Sequence, residues 1–217
     1  MKILPSLLSC PLFEIPENLK ILESHGIETF HIDVMDGTYV PQLTYGTLFV
    51  QEVRKYTQKT LDVHLMVSHP ERIAGDFIAA GAHTLTFHPD TVNHPYRLLR
   101  SIQGQGCEAG IVIDPHVSIQ SVIHLLEVCQ EIVIMTVNPG FAGQEMIKSS
   151  LSKCLEIKDF CMKNKIPCPR IVCDGGIHLK NFEEVKNQGF DGAIIGSALF
   201  SGESLINTIH DFNQHNS

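Results

Sequence analysis

The sequence lacks three features that would each point to a class of function: a cluster of lysine and arginine, a long apolar run, and a CxxC pair of cysteines. Without a basic cluster, and with a formal net charge of −8, neither a nucleic-acid interface nor a patch for anionic membranes is expected. No apolar run approaches the length of a membrane span. An anionic small substrate stays compatible with this charge, because backbone N–H groups and a helix N-terminus can hold a phosphate.

The seven cysteines are odd in number. A chain of 217 residues can bury one substantial core and needs no disulfide scaffold. We therefore expect free thiols in a reducing cytosol, and with them a cytoplasmic protein. The opening stretch, MKILPSLLSCPLF, resembles a signal peptide only faintly, because prolines interrupt its apolar run and no small-residue cleavage site is evident. We interpret it as a strand.

Short apolar strands alternate with longer amphipathic segments along the chain. The predicted strands lie near residues 2–8, 29–34, 61–66, 84–88, 109–113, 131–137, 170–174 and 192–196. Helical patterns fill the intervals, as at 70–81 and 151–165. A glycine, which accepts the left-handed conformation after a last helical turn, precedes the next strand in the stretches SHG-IETFHIDV, AAG-AHTLTFH, GQG-CEAGIVI and NQG-FDGAIIG. This alternation predicts parallel strands with helical crossovers.

Eight parallel strands form either a closed barrel or an open, doubly wound sheet. Barrels carry their active residues at the C-terminal ends of the strands. The conspicuous polar residues follow that rule: His31, Asp33, His64, His88, Asn138 and Asp174. Because strands 2, 3 and 7 meet most easily in a closed barrel, and no linker divides the chain, we predict an α/β protein with one domain, a (β/α)8 TIM barrel over residues 1–217.

The stretch FHIDVMDG places a histidine and a carboxylate, His31 and Asp33, on one face of a strand. A buried carboxylate needs a partner or a metal ion. His64 on strand 3 and Asp174 at the end of strand 7 add a second residue of each type. This mixed set suits one divalent ion, Zn²⁺, Fe²⁺, Mn²⁺ or Co²⁺, and leaves room for a substrate oxygen. Taken singly, a strand histidine is more often a hydrogen-bonded structural residue, and an aspartate at a strand end is frequently a turn or cap residue. Their coincidence at one end of a barrel therefore carries the prediction.

Glycine-rich stretches follow the last three predicted strands, at residues 137–144, 174–177 and 196–204. The loops after strands 7 and 8 commonly bind phosphate in TIM barrels. Glycines let the backbone approach a ligand and present its N–H groups. An isolated glycine pair is usually a tight turn, but three such loops side by side favour a phosphate site.

Three methionines, Met35, Met66 and Met135, fall at the ends of strands 2, 3 and 6. They either pack the barrel core, as methionine readily does, or form an apolar cap over a reacting carbon. Two carboxylates across a barrel mouth would serve a two-base epimerisation, in which one removes a proton next to a carbonyl and the other protonates the opposite face of the enediolate. A metal ion would stabilise the developing charge.

These motifs resemble those of the ribulose-phosphate 3-epimerase family. The matching stretches are PSLLS, HIDVMDGTYVPQLTYG, DVHLMV, MTVNPGFAGQ, DGGI and GSALF. They run in order from the first strand to the last, and HIDVMDG and MTVNPGFAGQ are the most specific. The resemblance implies a metal-dependent isomerase on a (β/α)8 barrel that interconverts D-ribulose 5-phosphate and D-xylulose 5-phosphate in the pentose-phosphate pathway. It also implies a homo-oligomer.

The resemblance assigns roles position by position. The implied metal ligands are His31, Asp33, His64 and Asp174. Asp33 matches the proton acceptor of the family and Asp174 its proton donor. The implied substrate contacts are Ser6 and His64, a flexible cover of Gly140, Phe141, Ala142 and Gly143, and phosphate-end contacts at Gly175, Gly176, Gly196 and Ser197.

The sequence also departs from the family pattern, at Gln42, Ala142, His88-Pro89-Asp90 and Asp114. Asparagine is common in the family where Asp114 stands. HPDT and GFAGQ resemble the related allulose-6-phosphate 3-epimerases, whereas DGGI and TYG favour the ribulose enzyme. The departures therefore leave open whether the substrate is a pentulose or a hexulose phosphate.

Two further functions are compatible with a phosphate-binding barrel. Decarboxylases of sugar or nucleotide acids carry a D-x-K-x-x-D pattern on a strand. In this chain Met35 stands where the lysine would be, and no lysine lies between Lys20 and Lys55. A non-catalytic sugar-phosphate-binding barrel would be favoured by loss of one aspartate, and both are present. Epimerisation is the preferred prediction.

Overall fold

Eight parallel β-strands form the centre of the molecule in a computed structural model that describes residues 1–202 and 204–216. The strands are β1 Lys2–Pro5, β2 Thr29–Met35, β3 Thr60–Met66, β4 Thr84–Phe87, β5 Glu108–Ile113, β6 Glu131–Met135, β7 Arg170–Asp174 and β8 Gly192–Ile195. All eight coincide with predicted strands to within three residues at either end. The predicted domain of residues 1–217 and the stretch 196–204 include Ser217 and Glu203, which lie outside the described residues.

The strands close into the predicted TIM barrel. Hydrogen bonding runs in the order β1-β8-β7-β6-β5-β4-β3-β2, and a parallel bridge between Ser6 and His31 joins the two end strands. In the β2–β3 ladder Asp33 lies opposite His64, and in the β6–β7 ladder Met135 lies opposite Asp174. Closure therefore brings β2, β3 and β7 to one mouth.

Helices pack around the barrel in most of the connections. They are α1 Ile15–Ser24, α2 Thr47–Tyr56, α3 Ala74–Ala79, α4 Pro95–Gly104, α5 Ser152–Asn164, α6 Leu179–Asn187, α7 Ser197–Phe200 and α8 Leu205–Asn216. The pattern at 151–165 becomes α5. The pattern at 70–81 gives a 3₁₀ turn, Pro70–Arg72, followed by the short α3, because the backbone of Ile73 (φ −122°) interrupts the helix between them.

The connection between β5 and β6 differs from the other crossovers. Residues 114–130 form two 3₁₀ turns, Ile119–Ser121 and Ile123–Leu125, in place of an α-helix. β-Branched residues are frequent here and restrict side-chain rotamers in a helix. Ile119 and Val122 are nevertheless buried, so the segment covers the barrel without helical periodicity.

Apolar side chains fill two layers. The larger layer lies between the strands and the surrounding helices, and the smaller lies inside the barrel, formed by Leu4, Val112, Val133, Met135, Val137, Val172 and Ile194. The four glycines expected to end helices, at positions 26, 81, 106 and 189, all have positive φ. In the described part of the chain, the helices are either too short or too polar to cross a bilayer.

Candidate active site

Four side chains that the sequence analysis singled out meet at the C-terminal mouth of the barrel. His31 and Asp33 come from β2, His64 from β3, and Asp174 is the last residue of β7. One nitrogen or carboxylate oxygen from each lies within 4.8 Å of the others. We call these four residues the mouth cluster.

The spacing within the mouth cluster suits a cation. Oδ1 of Asp33 lies 3.3 Å from Nε2 of His31 and 3.5 Å from Nδ1 of His64, and that Nδ1 lies 3.9 Å from Oδ2 of Asp174. A tetrahedral ion at about 2.1 Å from each ligand would separate them by roughly 3.4 Å. Nδ1 of His64 is buried and has no hydrogen-bond partner among the described residues. The residues present therefore fit a divalent metal ion, and the donor set alone does not select which one.

The two carboxylates of the mouth cluster differ in their affinity for protons. Burial raises the pKa of Asp33, but the charge and hydrogen bond of His31, with help from His64, outweigh it and hold this pKa well below its usual range. Burial, followed by the charge of Asp33, raises the pKa of Asp174 to about 7. Near neutral pH one carboxyl is ionised and the other is poised to exchange a proton, the arrangement expected of a base and an acid.

Two polar side chains hold the β2 residues in place. The hydroxyl of Ser6 donates to Oδ2 of Asp33 at 2.6 Å. Oδ2 of Asp62 lies 2.7 Å from Nδ1 of His31, so the other ring nitrogen faces Asp33. A carboxylate behind a histidine orients the ring and fixes its tautomer. Sequence reasoning assigned Ser6 through the family resemblance and gave no role to Asp62, although strand alternation places Asp62 on the same face as His64.

A cleft above the mouth cluster is lined by most of the residues predicted to contact the substrate. Those lining it are Ser6, Gly140, Phe141, Ala142, Gly143, Gly175, Gly176, Gly196 and Ser197. The predicted apolar cap also lines the cleft, at Met35, Met66 and Met135, as do Asp33 and Asp174. His64 is fully buried beneath these residues and does not line the cleft, so the structure places it with the metal-ligand candidates. Ser9 and Gln144 also line the cleft, and neither was predicted from the sequence.

Side-chain bonds fix the loops around the cleft. The amide of Gln144 donates to the carbonyl oxygens of Asn138 at 2.6 Å and Phe141 at 2.8 Å, which links the residue after the predicted cover to the loop before it and to Phe141 within it. The hydroxyl of Thr136 donates to the carbonyl oxygen of Asp174 at 2.9 Å. At Gly175 φ is 112°, and a Cβ there would lie 2.3 Å from a methyl group of Val137. The turn that follows Asp174 therefore requires glycine.

Comparison with known proteins gives the chain a family. A model of the "Ribulose-phosphate 3 epimerase family" matches residues 2–200. The ribulose-phosphate 3-epimerase of Bacillus subtilis is 37% identical over 200 residues, which cover 92% of each chain. The corresponding enzyme of Treponema pallidum is 39% identical over 198 residues, covering 91% of this chain and 90% of that one. The Escherichia coli enzyme is 37% identical over 199 residues, with 91% and 88% covered.

Solved structures agree with the fold. The 3-hexulose-6-phosphate synthase of Salmonella typhimurium superposes with a TM-score of 0.69 at 19% identity, covering 99% of this chain and 98% of that one. A mutant tryptophan synthase α-subunit from Pyrococcus furiosus gives 0.72 at 13% identity, covering 98% of both. At this level of identity the likeness concerns the barrel alone.

Proposed function

The chain belongs to the ribulose-phosphate 3-epimerase family, and on that premise we propose that it interconverts D-ribulose 5-phosphate and D-xylulose 5-phosphate by inverting C3. The observation that carries the proposal is the pair of carboxyl groups of Asp33 and Asp174. They lie under one cleft, one ionised and the other with a pKa of about 7. Two-base inversion at a carbon next to a carbonyl needs such a pair.

In this mechanism Asp33 is the proton acceptor. Its carboxylate takes the C3 proton of the ketose phosphate, and the electron pair of that C–H bond moves into the carbonyl to give an enediolate. The hydroxyl of Ser6, which donates to Oδ2 of Asp33 at 2.6 Å, holds this base in place. Asp174 then gives its proton to the opposite face of C3, which yields the inverted product. Exchange of protons with solvent restores both carboxyl groups.

The four residues of the mouth cluster, His31, Asp33, His64 and Asp174, would hold one divalent cation. When bound, such an ion supplies positive charge that stabilises the negative oxygens developing in the transition state. The support for the ion is local: a buried nitrogen of His64 without a hydrogen-bond partner among the described residues, next to two carboxylates. Zn²⁺, Fe²⁺, Mn²⁺ and Co²⁺ are the candidates.

The cleft residues would contact the two ends of a phosphorylated ketose. The backbone at Gly175, Gly176, Gly196 and Ser197 would meet the phosphate, since loops after β7 and β8 carry that group in TIM barrels. Met35, Met66 and Met135 would cover the reacting carbons and exclude water. The segment from Gly140 to Gly143 would act as the cover.

Proton NMR in D₂O tests the reaction directly. Purified protein supplied with Zn²⁺, Mn²⁺ or Co²⁺ is mixed with ribulose 5-phosphate, with allulose 6-phosphate in a parallel sample and the Asp174→Asn variant as control. We expect deuterium at C3 together with formation of xylulose 5-phosphate, and loss of the product in the variant. Exchange with the hexulose alone would retain the mechanism and assign a D-allulose-6-phosphate 3-epimerase. A lack of exchange with either substrate would contradict epimerase activity.

We also propose a homo-oligomer. The side chain of Phe13 is 97% exposed, and Leu12 and Tyr56 beside it are about half exposed, so an apolar patch adjoins the start of α1 and the end of α2. Contiguous apolar surface of this kind marks protein contacts. Analytical ultracentrifugation should show an assembly for the wild type and a smaller species for Phe13→Ser. A monomeric wild type would contradict the proposal.

A cytoplasmic location is the last part of the proposal. All seven cysteines are unpaired, and six of them are buried. Burial raises the pKa of the buried thiols of Cys129 and Cys154 to about 12, which keeps them protonated and unreactive. Free cysteines are typical of a reducing compartment. Fractionation of the source cells with an antibody against the chain would test this location.

A further inference from the structure

A second buried network adjoins the mouth cluster, formed by residues that directly follow β4 and β5. Nε2 of His64 lies 2.9 Å from Nε2 of His88. On the far side of the second ring, Nδ1 of His88 lies 3.3 Å from Oδ1 of Asp114. The other carboxylate oxygen of Asp114 accepts a hydrogen bond from the hydroxyl of Tyr39 at 2.9 Å. Both rings are completely buried, and Asp114 is 5% exposed.

The contact between the two rings restricts which nitrogen of each histidine carries the proton. Two imidazole nitrogens 2.9 Å apart form a good contact only if one donates and the other accepts. Nδ1 of His64 must keep its lone pair free if it is to bind a cation beside Asp33 and Asp174. The proton of His64 then sits on Nε2, and Nε2 of His88 accepts it. It follows that His88 carries its own proton on Nδ1, which faces Asp114.

Asp114 can determine these proton positions on His88 and His64. Oδ1 of Asp114 and Nδ1 of His88 are both buried and make no well-aligned hydrogen bond in the part of the chain described by the structure, so each has only the other, 3.3 Å away, as its polar neighbour. Burial raises the pKa of Asp114, but contacts with His88 and Tyr39 outweigh it and lower the pKa below its usual value. An ionised carboxylate only accepts hydrogen bonds. If His88 carried its proton on Nε2 instead, a lone pair of nitrogen would face a lone pair of oxygen.

A lysine side chain holds the backbone at Asp114. The ammonium of Lys153, on α5, donates to the carbonyl oxygens of Asp114 at 2.7 Å and Pro115 at 2.9 Å. The position at which β5 ends is therefore fixed, and with it the distance from the carboxylate to His88. Asparagine, which is common here in the family that the sequence resembles, would present an amide group that donates as well as accepts. Aspartate makes both oxygens acceptors.

We propose that Asp114, acting through His88, is a positioning residue that holds His64 in the tautomer whose Nδ1 lone pair faces Asp33 and Asp174. The inference rests on the proposed metal site and is independent of the substrate. Asp62 backs His31 directly, whereas Asp114 backs His64 through an intervening ring. Both ring ligands would then be oriented by a carboxylate.

The test measures the tautomers and the affinity for Zn²⁺ separately. Two-bond ¹H–¹⁵N spectra of the metal-free protein report which nitrogen of His64 and His88 carries the proton. Competition with a chromogenic chelator then gives the dissociation constant for Zn²⁺. The variants are Asp114→Ala, which removes both acceptors, Asp114→Asn, which keeps one, and Tyr39→Phe, which removes one bond to Asp114 at little risk to folding. Asp90→Ala is the matched control, because Asp90 is an exposed carboxylate near His88 with no hydrogen bond to it.

We expect the wild type to show His64 protonated on Nε2 and His88 on Nδ1. Asp114→Ala should mix the tautomers and weaken Zn²⁺ binding about 10-fold, near the lower end of the effect for partners of ligand histidines. Asp114→Asn should retain most of the affinity, Tyr39→Phe should lose less than the alanine variant, and Asp90→Ala should match the wild type.

Three results would overturn the proposal: unchanged tautomers in Asp114→Ala, equal losses in Asp114→Ala and Asp90→Ala, or a wild type in which His64 carries its proton on Nδ1. The second result would mean that the loss of Zn²⁺ affinity comes from removing a nearby negative charge and not from a change of tautomer. Failure of the wild type to bind Zn²⁺, Mn²⁺ or Co²⁺ would reject the proposed metal site instead, and the spectra of the metal-free protein would still decide the role of Asp114.

Discussion

The two ends of the barrel interior both bury carboxylates, but they neutralise them differently. At the N-terminal end, the first residues of three adjacent strands form an ion-paired set, Glu108, Glu131 and Arg170, which we call the base cluster. Arg170 donates from Nε to Glu131 at 2.7 Å and from an Nη to Glu108 at 2.6 Å. The mouth cluster has two carboxylates and two histidines and contains no arginine or lysine. The base cluster contains a permanent cation, whereas the charges of the mouth cluster are balanced only by protons or a bound ion.

One strand and one side chain connect these ends. β7 begins with Arg170 and ends with Asp174, so it serves both clusters. Asp62 lies between them, with one oxygen on His31 and the other without a hydrogen-bond partner among the described residues. Burial and the charge of Asp62 raise the pKa of Glu131 to about 8, against the opposing charge of Arg170. Burial of a carboxylate therefore does not by itself mark a catalytic site; the group that balances its charge distinguishes the two ends of the barrel.

A matched pair of isosteric substitutions should show the largest difference in activity between the mouth cluster and the base cluster. Asp33→Asn and Glu131→Gln each remove one buried carboxylate from the same barrel. We expect Asp33→Asn to lower kcat/KM for ribulose 5-phosphate by about 10²–10⁴, the range for loss of a general base. Glu131→Gln should leave it close to the wild-type value, because Glu131 does not line the cleft. Steady-state assays of both variants decide the matter, and a comparable loss in Glu131→Gln would contradict the comparison.

Removing the permanent cation should act on stability and spare metal binding. In Arg170→Met the buried carboxyl of Glu131 loses its hydrogen-bond donor, which should lower the free energy of unfolding by about 1–3 kcal/mol. The control is Lys148→Met, which breaks the exposed pair of Lys148 with Glu184 and should lower it by less than about 1 kcal/mol. Urea unfolding measures both. Equal effects of the two variants would show that burial of the base cluster contributes little.

Added metal should stabilise the protein through the mouth cluster alone. At a free Zn²⁺ concentration 100 times the dissociation constant, we expect the wild type to gain about 2.7 kcal/mol of unfolding free energy. Arg170→Met should gain the same increment from its lower starting value, since its metal ligands are intact. His31→Ala should gain much less. Urea titrations with and without Zn²⁺ test this, and an equal gain in His31→Ala would place the ion elsewhere.

The pH dependence of stability should report the base cluster. Glu131 has a folded pKa of about 8 against about 4.3 when unfolded. Between these values the folded state binds more protons, so its contribution to stability is complete at low pH and is lost as pH rises to about 8. The slope cannot exceed about 1.4 kcal/mol per pH unit for one group. Unfolding of the Zn²⁺-loaded wild type and Glu131→Gln from pH 5 to 9 isolates this contribution, because the two proteins differ only at this residue. A difference in unfolding free energy that does not change with pH would mean that Glu131 does not titrate in that range.

Local sequence was enough to predict the elements that carry the site. Apolar runs placed the eight strands, and glycines at positions 26, 81, 106 and 189 marked the ends of helices, where positive φ was found. The position of a polar residue at a strand end predicted its place at the barrel mouth. Strand alternation could therefore bring Asp33, His64 and Asp174 into one hypothesis before any distance was known.

Local sequence did not predict the structure of a segment without periodicity, nor contacts between side chains from distant segments. The 114–130 connection covers the barrel without an α-helix, and nothing in its composition specified two 3₁₀ turns. The chain Tyr39–Asp114–His88–His64 joins a loop and the ends of three different strands. In the sequence His64 was assigned as a metal ligand, but His88 and Asp114 appeared only as separate departures from a pattern, and Tyr39 had no role.

What the sequence determined by itself was the alternation of strands and helices, the chemical types gathered at one edge, and the family. Only the tertiary structure decided which nitrogen of each histidine faces the cation position, that His64 lies beneath the cleft, and that one buried end is paired with arginine while the other is not. The physical reason is that a strand fixes only the face on which a side chain lies. Distances of 2.6–3.9 Å between strands arise when barrel closure sets the register of all eight together.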